Sequence, residues 1–247
     1  MVNGYTMKNI DTTNITCYNN TMSLINKLYE YPILKRTDVN GQRLYDTGSA
    51  KVPSVTTILG RMKDMTGINK WRDRIGHAEA QRILTEAANL GTATHKHLEN
   101  HCLGIERPTG TNLIRQIASK LADVVINEGL VNINEVWGLE ASLYSPDLYA
   151  GTTDCVGLWK DKPAIIDFKT SRSVKKREWI EDYFLQGSAY AMAHNELFGT
   201  DIKTVVIMMV THEGKYLEFT IEQDEFDEYI SKWLDKLKEY YQVYDKY

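Results

Sequence analysis

The sequence predicts an α/β fold with a mixed sheet. From residue 91 to residue 210 the apolar pattern runs helix, three short strands, helix, strand. The strand-like segments "EVWGLEASLY", "GTTDCVGLW" and "PAIIDFKT" follow one another across short polar turns, so they predict an antiparallel meander. The continuously apolar segment "KTVVIMMV" follows the second helix and predicts a central strand.

The first 50 residues predict an arm followed by a hairpin. Residues 1–30 are rich in Asn and Thr, which predicts a weakly structured arm. Asn40 and Gly41 lie between two short extended runs, and this pair is a strong signal for a tight hairpin turn. We therefore expect residues 1–50 to lie outside the main domain.

Residues 51–247 are predicted to form one domain. A helical wall covers 55–130, with helices over 71–90, over 91–103 and from 113 to about 129. This wall overlaps the core, which is predicted over 91–210. The helix that follows the three core strands is predicted from about 178 to 197. A C-terminal helix over 224–244 completes the domain, because apolar side chains recur there at helical spacing.

Composition excludes several classes of protein. The chain has 247 residues, 43% of them hydrophobic and 25% charged, which is typical of a soluble globular domain. The net charge of −4 gives no general basic field, so contact with nucleic acid requires a local patch or a metal ion. Three widely spaced cysteines predict neither a zinc ribbon nor a disulfide framework, and they favour a reducing, intracellular setting.

The segment "KPAIIDFKTS" contains the first candidate site. Asp167 and Lys169 are two residues apart on a predicted strand, so their side chains share one face. A structural ion pair would explain them. However, Glu140 and Asp154 lie on the two preceding strands and can converge on the same face. Clustered carboxylates repel one another and usually bind a hard cation such as Mg²⁺, beside which a lysine can orient or deprotonate water.

The flanking helices add further candidates. In "GTATHKHLENH", His95 and Glu99 share one helix face. His97 and His101 have a spacing known from zinc sites, but no HExxH pattern and no third ligand accompany them, so we expect a solvated polar face. In the second helix, "LQGSAYAMA" puts Gln186 and Tyr190 on one face. Such a pair usually reflects helix packing alone. Its position one helix after the Asp-x-Lys strand makes it a candidate for the site.

The order of these motifs resembles a known family. "GTATHKHLE", "GTTD", "DFKTS" and "LQGSAY" are similar to the His, Asp, Asp-x-Lys and Gln-xxx-Tyr motifs of the RecB-like nucleases in the PD-(D/E)XK superfamily. The resemblance covers roughly residues 53–244. No single motif is specific to this family, but the four motifs in this order are. The resemblance implies a restriction-endonuclease-like core with helical N-terminal additions.

The resemblance also implies roles for individual residues. Asp154 and Asp167 would hold the metal with the backbone carbonyl of Phe168 and the imidazole of His95. Lys169 would activate the attacking water.

Other roles concern the surroundings of the metal. Gln186, with Tyr190 nearby, would lie over the scissile phosphate or support the lysine, and Glu140 would lie behind the metal ligands. The loop after the third strand offers cations for phosphates, although a solvated charged loop would have the same composition. These cations are Arg172, Lys175 and Lys176.

These features predict a Mg²⁺-dependent deoxyribonuclease, with Mn²⁺ as a substitute, that acts as an exonuclease on single-stranded DNA ends. A structure-selective endonuclease and an inactive nucleic-acid-binding module are the alternatives. Some related nucleases hold an iron–sulfur cluster on four cysteines, which this sequence lacks, so no cluster is expected. The N-terminal residues resemble neither a secretory nor a mitochondrial signal. We therefore expect the cytoplasm of a bacterium or a phage-infected host.

Overall fold

The structure is a computed structural model that describes residues 24–39 and 41–244. It contains a five-stranded sheet, a separate three-stranded sheet and α-helices that cover the larger sheet. The strands are β1 (Lys35–Val39), β2 (Gln42–Asp46), β3 (Lys51–Pro53), β4 (Ile133–Ser145), β5 (Tyr149–Trp159), β6 (Lys162–Ser171), β7 (Thr204–Thr211) and β8 (Tyr216–Glu222). The helices are α1 (Val55–Arg61), α2 (Thr66–Ile75), α3 (His77–Leu103), α4 (Leu113–Glu128), α5 (Glu181–Phe198) and α6 (Gln223–Tyr244).

The larger sheet has the order β4-β5-β6-β7-β8, and only the β6–β7 pair is parallel. The predicted mixed α/β fold is therefore confirmed. The elements α3, β4–β6, α5 and β7 follow one another as predicted for a PD-(D/E)XK core. Helix α5 supplies the long crossover that a parallel pair requires. All eight residues of β7 are buried, which explains its unbroken apolar sequence.

Two apolar cores cover the two faces of this sheet. Ile166 and Phe168 face a core shared with α3 and α4. Ile165 faces the other core, which is shared with α1, α5 and α6. Successive strand residues point to opposite faces, so Asp167 and Lys169 belong to the face of Ile165, on the side of α5.

The smaller sheet packs beside β5. Strands β1 and β2 are antiparallel, with Val39 opposite Gln42, as a hairpin requires. Asn40 itself lies outside the described residues, as do residues 1–23 of the arm predicted over 1–30. Tyr45 and Val52 form a small apolar cluster with Ala150 of β5, so this sheet lies against the strand that carries Asp154. The division of the chain at residue 50 stays a prediction.

The helices differ from the prediction at two glycines. A single helix, α3, replaces the two predicted over 71–90 and 91–103, while the break falls at Gly76. Gly76 has φ 89°, a conformation in which a helix cannot continue. Gly91 remains helical and faces β6, where a Cβ atom would lie 3.4 Å from the Thr170 hydroxyl oxygen, an ordinary contact distance. Within the described residues, none of these helices is both long enough and apolar enough to span a bilayer.

An aromatic cluster around His194 joins residues 29–31 to α5. His194 is fully buried, and its two ring nitrogens lie 3.1 Å from the Tyr31 hydroxyl and 2.8 Å from the Thr200 hydroxyl. The rings that contact it belong to Tyr29, Tyr31, Trp137 and Phe198. Burial lowers the pKa of His194 from 6.5 to about 4, so this side chain is neutral near pH 7.

This burial predicts loss of stability in acid. The imidazole must take up a proton at higher pH in the unfolded chain than in the folded protein. The stability is therefore complete above the unfolded pKa of 6.5 and is lost as the pH falls towards about 4. The contribution of His194 is about 3 kcal/mol. Urea unfolding of wild type and His194→Gln at several pH values should show a smaller acid loss in the variant, and equal losses would contradict the prediction.

Candidate active site

The candidate site lies where β5 and β6 separate. Their pairing runs from Trp159 opposite Lys162 to Cys155 opposite Ile166 and stops there. Beyond that point the Phe168 amide has no backbone partner on β5. It donates a hydrogen bond of 2.8 Å to Oδ2 of Asp154 instead. The Asp154 side chain is thereby fixed across the gap between the strands.

Asp167 and Lys169 share one face, as the sequence predicts. The Lys169 ammonium donates a hydrogen bond of 2.6 Å to Oδ1 of Asp167 and lies 2.5 Å from Oδ2. The Asp167 side chain is 5% exposed and that of Lys169 is 20% exposed, so the pair is largely removed from water. The ammonium also lies 5.0 Å from the centre of the Tyr183 ring.

Burial and charge act in opposite directions on this pair. Burial raises the pKa of Asp167, although the Lys169 ammonium and the His95 ring lower it. Burial lowers the pKa of Lys169, but the carboxylates of Asp167 and Asp154 outweigh that effect, and the net pKa is raised. Lys169 therefore carries its proton near pH 7 and acts as a hydrogen-bond donor.

A second group of potential ligands lies next to this pair. His95, Glu140 and Asp154 each offer a ligand atom, and these atoms lie within 4.8 Å of one another. The Nδ1 atom of His95 is 3.5 Å from Oδ1 of Asp154. Burial lowers the pKa of His95, yet the Asp154 carboxylate outweighs it and the net pKa is raised.

Glu140 lies next to Asp154 across the β4–β5 pair. Leu139 pairs with Cys155 and Ala141 with Thr153, so Glu140 lies opposite Asp154 on the neighbouring strand. Like charges in such a pair repel. Burial, followed by the Asp154 carboxylate, raises the pKa of Glu140. Glu140 also has φ 46°, a costly backbone conformation for a residue other than glycine.

His95, Glu140 and Asp154 line a cleft of about 600 Å³, whereas Asp167 and Lys169 lie behind Asp154 and are not among its described lining residues. Gln186 and Tyr190 line it from α5, and the Gln186 side chain lies within hydrogen-bonding reach of the Tyr190 hydroxyl. Gly151, the glycine of "GTTD", admits that ring, because a Cβ atom there would lie 2.6 Å from the Tyr190 hydroxyl oxygen. Three of the predicted motifs therefore meet in one cleft.

Other predicted residues lie elsewhere. Arg172 faces a separate cavity of about 360 Å³ between α3 and α4, beside His212. Lys175 and Lys176 follow it on the loop after β6, and the Lys176 ammonium lies 3.8 Å from Glu178. Among the described residues that line the cleft, none comes from this loop.

The expectation for His97 was wrong. His97 is 1% exposed rather than solvated, because Arg107 covers this part of α3 and donates a 3.3 Å hydrogen bond to its Nδ1. His101 is partly buried beside the same arginine. In residues 24–39 and 41–244, neither histidine joins a group of potential metal ligands.

The cleft also contains residues that the sequence analysis missed. Arg36, Arg43 and Tyr45 come from the small sheet, and Ser54 and Thr56 follow from the start of α1. Their place depends on how that sheet packs against β5, which no local motif encodes.

Comparison with known proteins adds sequence relatives. No family model matches the chain. It is 27% identical over 210 residues to mitochondrial genome maintenance exonuclease 1 of Xenopus tropicalis, covering 76% of this chain and 57% of that protein. The Mus musculus protein of the same name is 27% identical over 203 residues, covering 76% of this chain and 59% of that protein. The matches therefore span less than two thirds of these curated relatives' length.

A solved structure gives a weaker likeness. A proposed exonuclease from Eubacterium rectale aligns with a TM-score of 0.46 at 13% identity, covering 62% of this chain and 64% of that one. The sequence relatives confirm the resemblance that the motifs predict: the chain is similar to the RecB-like exonucleases of the PD-(D/E)XK superfamily.

Proposed function

We propose that this protein is a divalent-metal-dependent deoxyribonuclease, an exonuclease that favours single-stranded DNA ends. One observation carries the proposal: Asp154 and the Asp167–Lys169 pair meet where β5 and β6 separate, beside His95 and Glu140. The two curated relatives, both named as exonucleases, support it.

The donor set of the cleft fits a hard divalent cation. His95, Glu140 and Asp154 offer one imidazole and two carboxylates, and Glu140 and Asp154 face each other as like charges. Repulsion of this kind is relieved when Mg²⁺ or Mn²⁺ binds through carboxylate oxygen. We propose His95, Asp154 and Glu140 as ligands. The family resemblance adds Asp167 and the Phe168 carbonyl.

Hydrolysis requires a water molecule to attack phosphorus while the bond to the leaving oxygen breaks. When bound, a divalent cation offsets charge on the phosphate and lowers the pKa of a coordinated water. The Lys169 ammonium, which donates a hydrogen bond to Asp167, would orient the attacking water and stabilise negative charge on the phosphate. Gln186 and Tyr190 supply further donors to phosphate oxygens from α5.

Two related expectations also stay proposals. Residues 55–130 would form the wall of the substrate path, with the core over 91–210. The buried thiols of Cys102 and Cys155 are free, which suits a reducing compartment such as the cytoplasm of a bacterium or a phage-infected host.

A single gel experiment tests the function. End-labelled linear and closed circular single-stranded DNA are incubated with the protein, with Mg²⁺ or with EDTA. We expect the linear strand to be degraded only with Mg²⁺ and the circle to remain intact. Cutting of the circle would instead identify an endonuclease. Binding without cleavage in Mg²⁺ and in Mn²⁺ would identify a binding module.

The role of His95 gives a separate prediction. Loss of this ligand in His95→Ala should weaken Mn²⁺ binding at least about tenfold in isothermal titration calorimetry. The matched control is His77→Ala, because His77 lies on the same helix but is exposed beside Asp73. Equal Mn²⁺ affinity in wild type and His95→Ala would show that His95 does not bind the metal.

A further inference from the structure

We propose that the β1–β3 sheet is a phosphate clamp, in which Arg36 and Arg43 bind phosphodiester groups next to the one that is cleaved. The inference rests on the proposed nuclease function and deepens it, because these arginines line the same cleft as His95 and Asp154. They come from the first 50 residues, which the sequence analysis placed outside the main domain.

The hairpin directs a set of polar side chains to one face. Arg36 and Asp38 are two residues apart on β1, so they share a face. Arg36 lies opposite Tyr45, and Asp38 lies opposite Arg43. Tyr45 is buried against Ala150 of β5, which fixes this face beside the candidate catalytic residues.

The two guanidinium groups share a single carboxylate. Arg36 donates hydrogen bonds of 2.9 and 3.2 Å to Oδ2 of Asp38, whereas Nε of Arg43 lies 4.0 Å from Oδ1. Among the described residues, the Nε of Arg43 is a buried donor with no hydrogen-bond partner. The side chains of Arg36 and Arg43 remain 49% and 39% exposed. The pair therefore keeps a net positive charge, and the exposed parts of both guanidinium side chains offer N–H donors that match the oxygens of a phosphodiester.

A strand of DNA needs such a clamp at this place. Glu99, Glu140 and Asp154 line the cleft, and Lys96, the other cation on its wall, is paired with Glu99 at 2.8 Å. From the predicted basic loop after β6, Arg172 lines a different cavity, and no residue of the loop is among the described lining of the cleft. Without Arg36 and Arg43, Lys96 would be the one lysine or arginine among the described lining residues to face the phosphates that flank the reacting one, and Lys96 is already paired.

A second cavity lies next to the cleft, on the side of Arg43. This cavity of about 290 Å³ shares Arg43 and Thr56 with the cleft and reaches Arg61. Arg36 and Arg43 therefore line the cleft that holds the candidate metal ligands, and Arg43 and Arg61 line the cavity next to it at the end of α1. A single strand laid along the cleft and this cavity would have its backbone phosphates beside Arg36 and Arg43.

The first test measures binding rather than cleavage. Wild type and the double variant Arg36→Gln/Arg43→Gln are titrated into fluorescein-labelled single-stranded oligothymidylate in EDTA, and anisotropy gives Kd at several salt concentrations. Loss of two phosphate contacts should weaken binding and reduce the slope of log K against log[salt] by about 1.4. The control is Lys160→Gln/Lys162→Gln, which removes two cations that are also paired with carboxylates, at the other end of β5 and β6. An unchanged slope in the arginine variant would overturn the clamp.

Asp38→Asn separates a clamp from a structural ion pair. A clamp predicts tighter oligothymidylate binding in Asp38→Asn, because the arginines lose the carboxylate that neutralises them. A purely structural pair predicts that Asp38→Asn and the arginine variant both lower Tm and both weaken binding or leave it unchanged. Effects of opposite sign in the two variants therefore support the clamp, and effects of the same sign overturn it.

The remaining measurements distinguish the clamp from the nuclease proposal. In Mg²⁺ the arginine variant should raise KM for single-stranded DNA more than it lowers kcat. If wild type cuts nothing but the salt slopes differ as expected, the proposed function fails and the clamp stands. The arginine substitutions should weaken the binding of oligonucleotides with and without a 5′-phosphate to the same extent. An effect confined to the phosphorylated one would overturn the assignment to internal phosphodiesters.

Discussion

Replacing Lys169 by methionine should reduce the rate of phosphodiester cleavage by ~10² to 10⁴, the usual loss when a positioned proton-transfer or charge-stabilising group is removed. DNA binding should change little, because Asp167 holds the ammonium inside the site and the Lys169 side chain is only 20% exposed. Single-turnover cleavage of end-labelled DNA in Mg²⁺ measures the rate, and fluorescence anisotropy in EDTA measures binding.

Methionine keeps most of the side-chain volume, so the substitution removes charge without leaving a large cavity. The carboxylate of Asp167 then loses its partner, but burial already raises the pKa of Asp167, and the group can take up a proton instead of unfolding the protein. Lys160→Met, in the turn between β5 and β6, is the matched control. Loss of DNA binding together with activity in Lys169→Met would assign Lys169 to binding or folding.

The shared face of Asp167 and Lys169 was predictable because it depends only on the two-residue period of a strand. The mixed sheet was predictable for a similar reason, since the buried β7 sequence and the long helical crossover are local features. The end of the β5–β6 pairing is not local. Because the strands separate there, the Phe168 amide donates its hydrogen bond to the Asp154 side chain. Neither "GTTD" nor "DFKTS" specifies where the two strands separate.

Glu140 and the hairpin arginines show the same limit. The position of Glu140 beside Asp154 follows from the β4–β5 register, which contains irregularities near Val136 and Gly138. Arg36 and Arg43 reach the cleft only because the small sheet packs on Ala150. Basic character alone pointed to the loop after β6, whose cations lie outside the cleft. Charge in a sequence identifies candidate contacts, whereas their location requires the tertiary structure.

Replacing Asp167 by asparagine should abolish cleavage and leave the metal-free protein about as stable as wild type. Burial makes the ionised Asp167 costly in the folded state, as its raised pKa shows, and asparagine removes that cost. The asparagine oxygen can still accept a hydrogen bond from Lys169, which also has Asp154 and the Tyr183 ring as favourable neighbours. Thermal melting in EDTA and in millimolar Mg²⁺ measures both the stability and the response to metal.

The same experiment separates a metal site from a structural ion pair. If Asp167 helps to bind the metal, Mg²⁺ should raise the Tm of wild type by mass action and raise that of Asp167→Asn much less. If the pair is structural, loss of Asp167 should strand the Lys169 charge and cost ~3–5 kcal/mol in EDTA. Asp201→Asn, an exposed pair with Lys203, should respond to Mg²⁺ like wild type. A strongly destabilised Asp167→Asn protein, with no effect of Mg²⁺ on wild type, would contradict the metal site and reduce "DFK" to an ion pair.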